Sequence, residues 1–327
     1  MGEFELIRRH FQRAAPADSA VVLGVGDDCA LLQPPPGEQL AVSTDMLVEG
    51  RHFFAGIDAM ALGHKALAVN LSDLAAMGAR PLGFTLALSL PAVDEAWLSA
   101  FSQGLLALAE RHGCPLVGGD TTAGPLNLCI TVFGSVRPGL ALRRDAAQAG
   151  DDLWLSGCTG EARLALERRL GTAWAQAVAL DAHTQATLEA RLHRPEPRLA
   201  LGRALAGVAR AALDVSDGLA GDLGHVLAAS RVGACIDEAA LPLAPALAGL
   251  PDTWRRECLL HGGDDYELLF TADPARRAEV QAAAQASGTA VSRIGRIESA
   301  PGLRLNTADG RQVDWPLRGF DHFGTSG

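Results

Sequence analysis

No two cysteines in this sequence form a C-x-x-C pair; Cys29, Cys114, Cys129, Cys158, Cys235 and Cys258 are scattered singly. The spacing gives neither a zinc signature nor a disulfide framework, and it fits small thiols in a reducing cytosol. No run of about 18 apolar residues occurs, so no membrane span is expected. The amphipathic start "MGEFELIRRHF" lacks the apolar stretch of a signal peptide, and the expected compartment is the cytoplasm. Basic residues are too few for a nucleic-acid partner: 28 Lys and Arg stand against 38 Asp and Glu, a net charge of −10, and backbone-binding sites need basic stripes. The usual signatures G-x-x-x-x-G-K-[ST], H-R-D, D-F-G and G-x-S-x-G are all missing. "GVGDDC" opens like a dinucleotide fingerprint, but Cys29 replaces the third glycine and a Pro-rich turn follows instead of a helix.

What is present is a chain of 327 residues, 48% of them hydrophobic, long enough for two domains of about 150 residues each. A short helix is expected over 4–13, then two strands around the turn at 34–37. Helical spacing covers 58–78 and 94–113, with strands at 83–91 and in "CPLVGGD" and "LNLCITVFGSV". A hinge and the first strand of a second unit fall within 141–157, and "RPEPR" (194–198) is a connector. These elements predict domains at 1–138 and 139–327. The fold class is α/β with mixed sheets (α+β in character), without the regular alternation of a doubly wound fold.

Acidic residues recur in one kind of setting. "GVGDD" (24–28), "STD" (43–45), "NLSD" (70–73), "VGGD" (117–120), "DVSDG" (214–218) and "HGGDD" (261–265) each place aspartate in a short motif, most of them directly after an apolar run. Asp73 is the sharpest case, because the helix around it is otherwise apolar and the nearest cations are Lys65 and Arg80. A buried carboxylate needs a cation or several donors. One such motif would read as a polar turn capping a strand; six of them point to a shared acidic site. Carboxylates without His or Cys prefer hard divalent ions, so Mg²⁺ or Mn²⁺ is expected, with magnesium the partner of Asp73 and more than one ion bound. Such a site and a nucleotide triphosphate are both anionic, and only metal between them makes the pair workable. Phosphoryl transfer is the chemistry that follows.

The segments "GVGDDCALL", "STDMLVEGRHF", "KALAVNLSDLAAMGA", "VGGDTT", "DVSDGL", "GGDDYELLF" and "GFDHF" closely resemble the thiamine-monophosphate kinase family, in order and spacing, from residue 3 to residue 323. That family belongs to the ATP-binding superfamily typified by aminoimidazole ribonucleotide synthetase. The resemblance implies a two-domain fold of that type, with the N-terminal sheets of two chains pairing into a barrel across a homodimer. It implies an N-terminal domain that binds ATP and magnesium, and a C-terminal domain that closes the cleft. By matching motif, Asp28, Ser43, Thr44, Asp45, Asp73, Asp120, Asp214 and Asp217 would ligate magnesium. Asp45, Asp73, Asp120 and Asp217 would form the catalytic set. Gly119, Asp120, Arg144 and Ser216 would contact ATP, and His52, Asp264 and Phe320 would lie near the thiamine phosphate. The family usually has Glu where Asp264 stands, which shortens the reach, and often Tyr or Trp where Phe320 stands, which removes a polar tip.

The implied reaction is ATP plus thiamine monophosphate giving ADP and thiamine diphosphate, the last step in making that cofactor. A phosphate monoester, with its second pKa at about 6, is already largely ionised at neutral pH and needs no general base. Two alternatives stand beside this reading. One is another ATP-dependent superfamily member, such as aminoimidazole ribonucleotide synthetase, selenophosphate synthetase or a hydrogenase-maturation protein. The last two use a terminal cysteine or selenocysteine, whereas here the first cysteine is Cys29 and the last residues are "GTSG". The other is a non-catalytic nucleotide-binding protein, which would be expected to have lost some of these aspartates.

Overall fold

The structure is a computed structural model that describes residues 3–320 apart from 14, 15, 17 and 18. Asp321–Phe323 of the "GFDHF" segment lie outside the described residues. The chain forms two compact units. One holds the described residues up to Leu74 together with Ala79–Leu140, and the other holds Ala75–Gly78 with the described residues from Ala141 onward.

In the first unit, α1 (Glu3–Leu6) runs into a π-helical turn at Ile7–Phe11. Where two strands were expected around the Pro-rich turn there are three: β1 (Val21–Leu23), β2 (Leu31–Leu32) and β3 (Gln39–Val48). β1 and β2 pair with each other alone, because the glycines and aspartates of "GVGDDC" break the ladder between them. β3 joins β4 (Arg80–Leu90), β5 (Leu116–Ala123) and β6 (Asn127–Val136) in a sheet of order β3-β6-β4-β5. Two helices complete the unit, α2 (Ala59–Ala76) and α3 (Glu95–Arg111). Asp94 caps α3 by accepting from the Ala96 and Trp97 amides.

Cross-strand register assigns the sheet's faces. Ser43, Asp45 and Leu47 stand opposite Val132, Ile130 and Leu128, and these stand opposite Phe84, Leu86 and Leu88. The apolar members of this face are buried, and α2 covers it, with Leu74 packed at Gly134. Leu40, Val42, Thr44 and Met46 occupy the other face, and Leu40, Val42 and Met46 are more than half exposed.

The second unit has a seven-stranded sheet of order β13-β12-β9-β11-β7-β10-β8. Its strands are β7 (Asp152–Ser156), β8 (Ala211–Asp214), β9 (Gly233–Asp237), β10 (Leu268–Ala272), β11 (Val291–Glu298), β12 (Gly302–Asn306) and β13 (Gln312–Trp315). Only β9 and β12 run parallel, so this is a mixed sheet and not a doubly wound one. The helices are α4 (Glu161–Leu170), α5 (Ala173–Gln176), α6 (Ala182–His193), α7 (Leu199–Leu205), α8 (Leu219–Ser230), α9 (Pro245–Ala248), α10 (Asp252–His261) and α11 (Arg277–Ser287). Leu153, Leu155, Leu213, Ile236 and Leu269 of the sheet share one core with Leu164, Leu223 and Leu260 of the helices. Among the described residues no helix is long and apolar enough to cross a membrane.

Candidate active site

In the first unit two pairs of residues meet by matching periods. Ser43 and Asp45, two apart on β3, share the face that α2 covers; Asn70 and Asp73, three apart, share one face of α2. The Ser43 hydroxyl donates to Asp73 Oδ2 at 2.5 Å, and Asn70 Oδ1 accepts from the Asp45 amide at 3.0 Å. Asn70 is itself held by donating to the Ala66 carbonyl at 3.0 Å. Asp73 is therefore half-buried beside a hydroxyl, and not enclosed in the apolar helix interior that its neighbours suggested. Every donor in this set is oxygen, which suits magnesium.

Thr44 and Asp120 lie on the opposite face, since Thr44 pairs with Thr131, Thr131 with Thr85, and the next same-face position on β4, Ala87, with Asp120. The Thr44 and Thr131 hydroxyls are 2.8 Å apart and hydrogen-bonded. A cavity of about 860 Å³ opens here, lined by Gly26, Asp27, Asp28, Gly119 and Asp120 over an apolar floor that includes Leu40 and Phe133. The structure thus brings Asp28, Gly119 and Asp120 to one cavity, and adds Asp27, to which the sequence reading gave no role. Gly119 has a structural reason of its own: a Cβ there would sit 1.9 Å from the Leu86 carbonyl oxygen, on a backbone with φ of 150°. His52 Nδ1 accepts from the Val48 amide at 3.0 Å, which fixes the turn after β3.

In the second unit the predicted residues gather around the loop between β8 and α8. Asp214 ends β8, and Ser216 and Asp217 follow. Beneath them lies Asp222, buried, whose Oδ2 accepts from the Ser216, Asp217 and Gly218 amides at 3.0, 3.0 and 3.1 Å. Burial pushes the Asp222 carboxyl up to about 7, against the opposing pull of these amides and of the Arg144 charge. The Ser216 carbonyl accepts from the Asp264 amide at 2.8 Å, and the Asp217 carbonyl accepts from the Phe320 amide at 3.0 Å. Ser216, Asp217, Asp264 and Phe320 thereby share one backbone network just after Asp214, with Arg144 acting on the Asp222 that supports it.

Asp264 and Tyr266 both adopt left-handed backbone, φ 65° and 51°, which non-glycine residues hold only when their surroundings force it. The forcing groups are the alternate residues. Both Asp265 carboxylate oxygens accept from the Gly160 amide, at 3.0 and 2.9 Å, and burial raises that carboxyl well above its usual range. Glu267 accepts from Ser156 Oγ at 2.5 Å and Arg198 Nε at 2.7 Å, and a second Arg198 nitrogen donates to it. Sequence reasoning noted Asn70, Asp265 and Glu267 within motifs but gave them no role of their own, and it missed Asp222. Asp222 carried a readable signal, an acidic residue in the first turn of a helix, where backbone amides await an acceptor.

Among the described residues no three His, Cys, Asp or Glu are gathered as a metal-binding group. The oxygen donors stand as pairs and loops on separate elements.

The chain is similar along most of its length to known proteins. Residues 26–136 match the family described as AIR synthase related protein, N-terminal domain, and residues 148–307 match its C-terminal domain. The thiamine-monophosphate kinase of Salmonella typhimurium is 44% identical over 329 residues, covering 99% of each chain. The crystal structure of thiamine-monophosphate kinase from Stenotrophomonas maltophilia K279a superposes with a TM-score of 0.83 at 48% identity, covering 90% of this chain and 92% of that one. The structure of AaThiL complexed with AMPPCP and TMP gives a TM-score of 0.75 at 28% identity, over 89% of both chains. With a mixed two-unit fold and sequence identity that runs nearly end to end, this chain belongs to the thiamine-monophosphate kinase family.

Proposed function

We propose that this protein transfers the terminal phosphoryl group of ATP to the phosphate of thiamine monophosphate, giving ADP and thiamine diphosphate by direct in-line transfer. The observation that carries the reading is 44% identity across 99% of the chain to an enzyme of that name. The oxygen-only donors around Ser43 and Asp73 support it. Ser43, Asp45 and Asp73 of the 1–138 domain, with Asp28 and Asp120, and Asp214 and Asp217 of the 139–327 domain, would hold several magnesium ions. Bound there, magnesium neutralises charge on the phosphates of both substrates. Thr44, which shares its sheet face with Asp120, belongs to the same proposed set. Arg144 and Ser216, with Gly119 and Asp120, orient ATP. His52, Asp264 and Phe320 receive the acceptor, whose cationic thiazolium suits an anion and an aromatic face. No residue need remove a proton, since the attacking phosphate oxygen is already ionised.

The enzyme is further proposed to be a cytoplasmic homodimer whose N-terminal sheets pair into a barrel. The exposed face bearing Leu40, Val42 and Met46 is apolar enough to want a partner. Light scattering that finds a fully active monomer would refute the dimer. The function itself is tested by acceptor choice. ADP release is expected with thiamine monophosphate, little with unphosphorylated thiamine, and none with formylglycinamidine ribonucleotide. Excess EDTA should abolish turnover, and zinc should not restore it. An enzyme that ignores thiamine monophosphate and turns over the ribonucleotide transfers the assignment to the synthetase branch of the superfamily.

A further inference from the structure

Two glycines, Gly221 and Gly224, interrupt α8 where alanine would be the better helix former. Both face a close neighbour. A Cβ on Gly221 would lie 2.6 Å from Gly319 Cα and 2.8 Å from Gly319 N, and one on Gly224 would meet the Leu317 side chain at 3.4 Å. The segment that follows β13 therefore crosses α8 at backbone distance.

Its course is held from the other side by one histidine. Trp315 Nε1 donates to His261 Nε2 at 3.1 Å. Because Nε2 accepts, Nδ1 carries the ring proton, and it donates to the Arg318 carbonyl at 3.0 Å. The Trp315 and His261 rings stack with centroids 5.9 Å apart and planes 11° apart. Arg318 also pairs with Glu257 of α10 at 2.6 Å. At Phe320 the amide bonds to the Asp217 carbonyl, and the residue is 56% exposed.

We propose that residues 315–320 form a strap, held against α8 by His261, Trp315 and the gap at Gly221, whose position sets the affinity for thiamine monophosphate by placing Phe320. His261, Trp315 and Gly221 are positioning residues, and the proposal rests on the reading of Phe320 as an acceptor contact. The gap at Gly221 matters because backbone, unlike a long side chain, cannot swing aside to admit a methyl group. The helix itself gains from alanine, so Gly221→Ala separates the strap from the fold.

The experiment compares Gly221→Ala, Trp315→Phe and Phe320→Ala by steady-state kinetics with each substrate varied, with melting curves and hydrogen exchange at the Phe320 amide. Gly221→Ala should raise KM for thiamine monophosphate by about tenfold, leave KM for ATP and kcat within about twofold, and abolish protection of the Phe320 amide. Trp315→Phe, which keeps the ring and loses the donor, should show the same pattern more weakly. If Gly221→Ala does not fold, Trp315→Phe and His261→Gln carry the comparison. An unchanged KM for thiamine monophosphate, or an equal rise in KM for both substrates, overturns the strap. Phe320→Ala separates the two ideas: a raised KM there with silent strap variants leaves the contact standing and removes only the strap, whereas a silent Phe320→Ala removes the contact as well.

Discussion

The two units place acidic side chains by different physical means. In the first, regular secondary structure does it: the pleat of β3 and the pitch of α2 bring Ser43 to Asp73 and the Asp45 amide to Asn70. In the second, the candidate carboxylates Asp217 and Asp264 sit on loops, and each loop is pinned by another carboxylate behind it. Asp222 gathers the three amides of 216–218, Asp265 holds Gly160, and Glu267 is gripped by Arg198 and Ser156. A strand or helix fixes side-chain direction through its own backbone ladder; a loop has none, and buried hydrogen bonds must supply the rigidity. The second unit is accordingly rich in buried acids paired with arginine, among them Asp151, Asp152, Glu161 and Glu238.

The largest effect should come from removing one of those pins. Glu267→Ala leaves Arg198, whose side chain is only 16% exposed, without its anion. Breaking a buried pair by deleting one partner costs about 3–5 kcal/mol. Denaturant melting should show a loss of that order, and an unchanged midpoint would break the claim that the loops depend on their pins.

The counterpart in the first unit should behave in the opposite way. Asp73→Asn keeps an acceptor for the Ser43 hydroxyl, so stability should stay within about 1 kcal/mol. It removes charge from the proposed magnesium set, and activity should fall about a hundredfold or more. A variant that melts much lower yet turns over normally would make Asp73 a structural residue.

A smaller effect is expected with pH. Burial lowers the His261 pKa from its ordinary value of 6.5, against the raising effect of its hydrogen bond to the Arg318 carbonyl and of the Glu257 charge, while the Arg318 and Arg163 charges lower it further. Between the folded and unfolded pKa values the unfolded chain binds the extra proton, so stability falls as pH drops through about 6.5. Protonation also removes the acceptor that Trp315 uses. Melting temperature measured from about pH 8 down to about pH 5 should decline less in His261→Gln than in the parent. His10, also lowered by burial, accounts for part of what remains. Equal acid limbs in parent and variant would mean that His261 contributes nothing.

The sequence announced regular elements more readily than contacts. Helix α3 and strand β6 follow from periodicity, because their buried positions repeat, whereas α2 is buried almost all round and is legible from its long apolar composition. β1 and β2 were legible only as one strand, since three and two residues are too short to set a period. The acidic motifs were visible as motifs, yet the division of Ser43 and Asp45 from Thr44 between two sheet faces depends on cross-strand register, which neighbouring letters do not state. Asp265 and Glu267 were hidden for a different reason. In "GGDDYEL" the three acids look equally polar, and only the left-handed turns at Asp264 and Tyr266 decide which acids point inward.

The smallest effect belongs to Cys29, and it tests the chemistry rather than the scaffold. Cys29 lies beside Asp28 in the loop between β1 and β2 and lines the same cavity. It is the exposed one of the six cysteines. Cys158 and Cys258, by contrast, are pushed up to about 12 by burial and are poor candidates for any thiolate role. Position alone therefore makes Cys29 the residue through which thiol chemistry would have to run. Magnesium has little affinity for thiolate, and transfer to an ionised phosphate needs no sulfur nucleophile. Being exposed, the side chain also contributes little packing. Cys29→Ser should leave turnover within about twofold and the melting curve unmoved, as for an ordinary surface substitution. A loss of about a hundredfold with the fold intact would break the comparison at its base, because one side of that cavity would then be supplying a nucleophile instead of a set of oxygen donors, and the superfamily members that work through cysteine would become the better description.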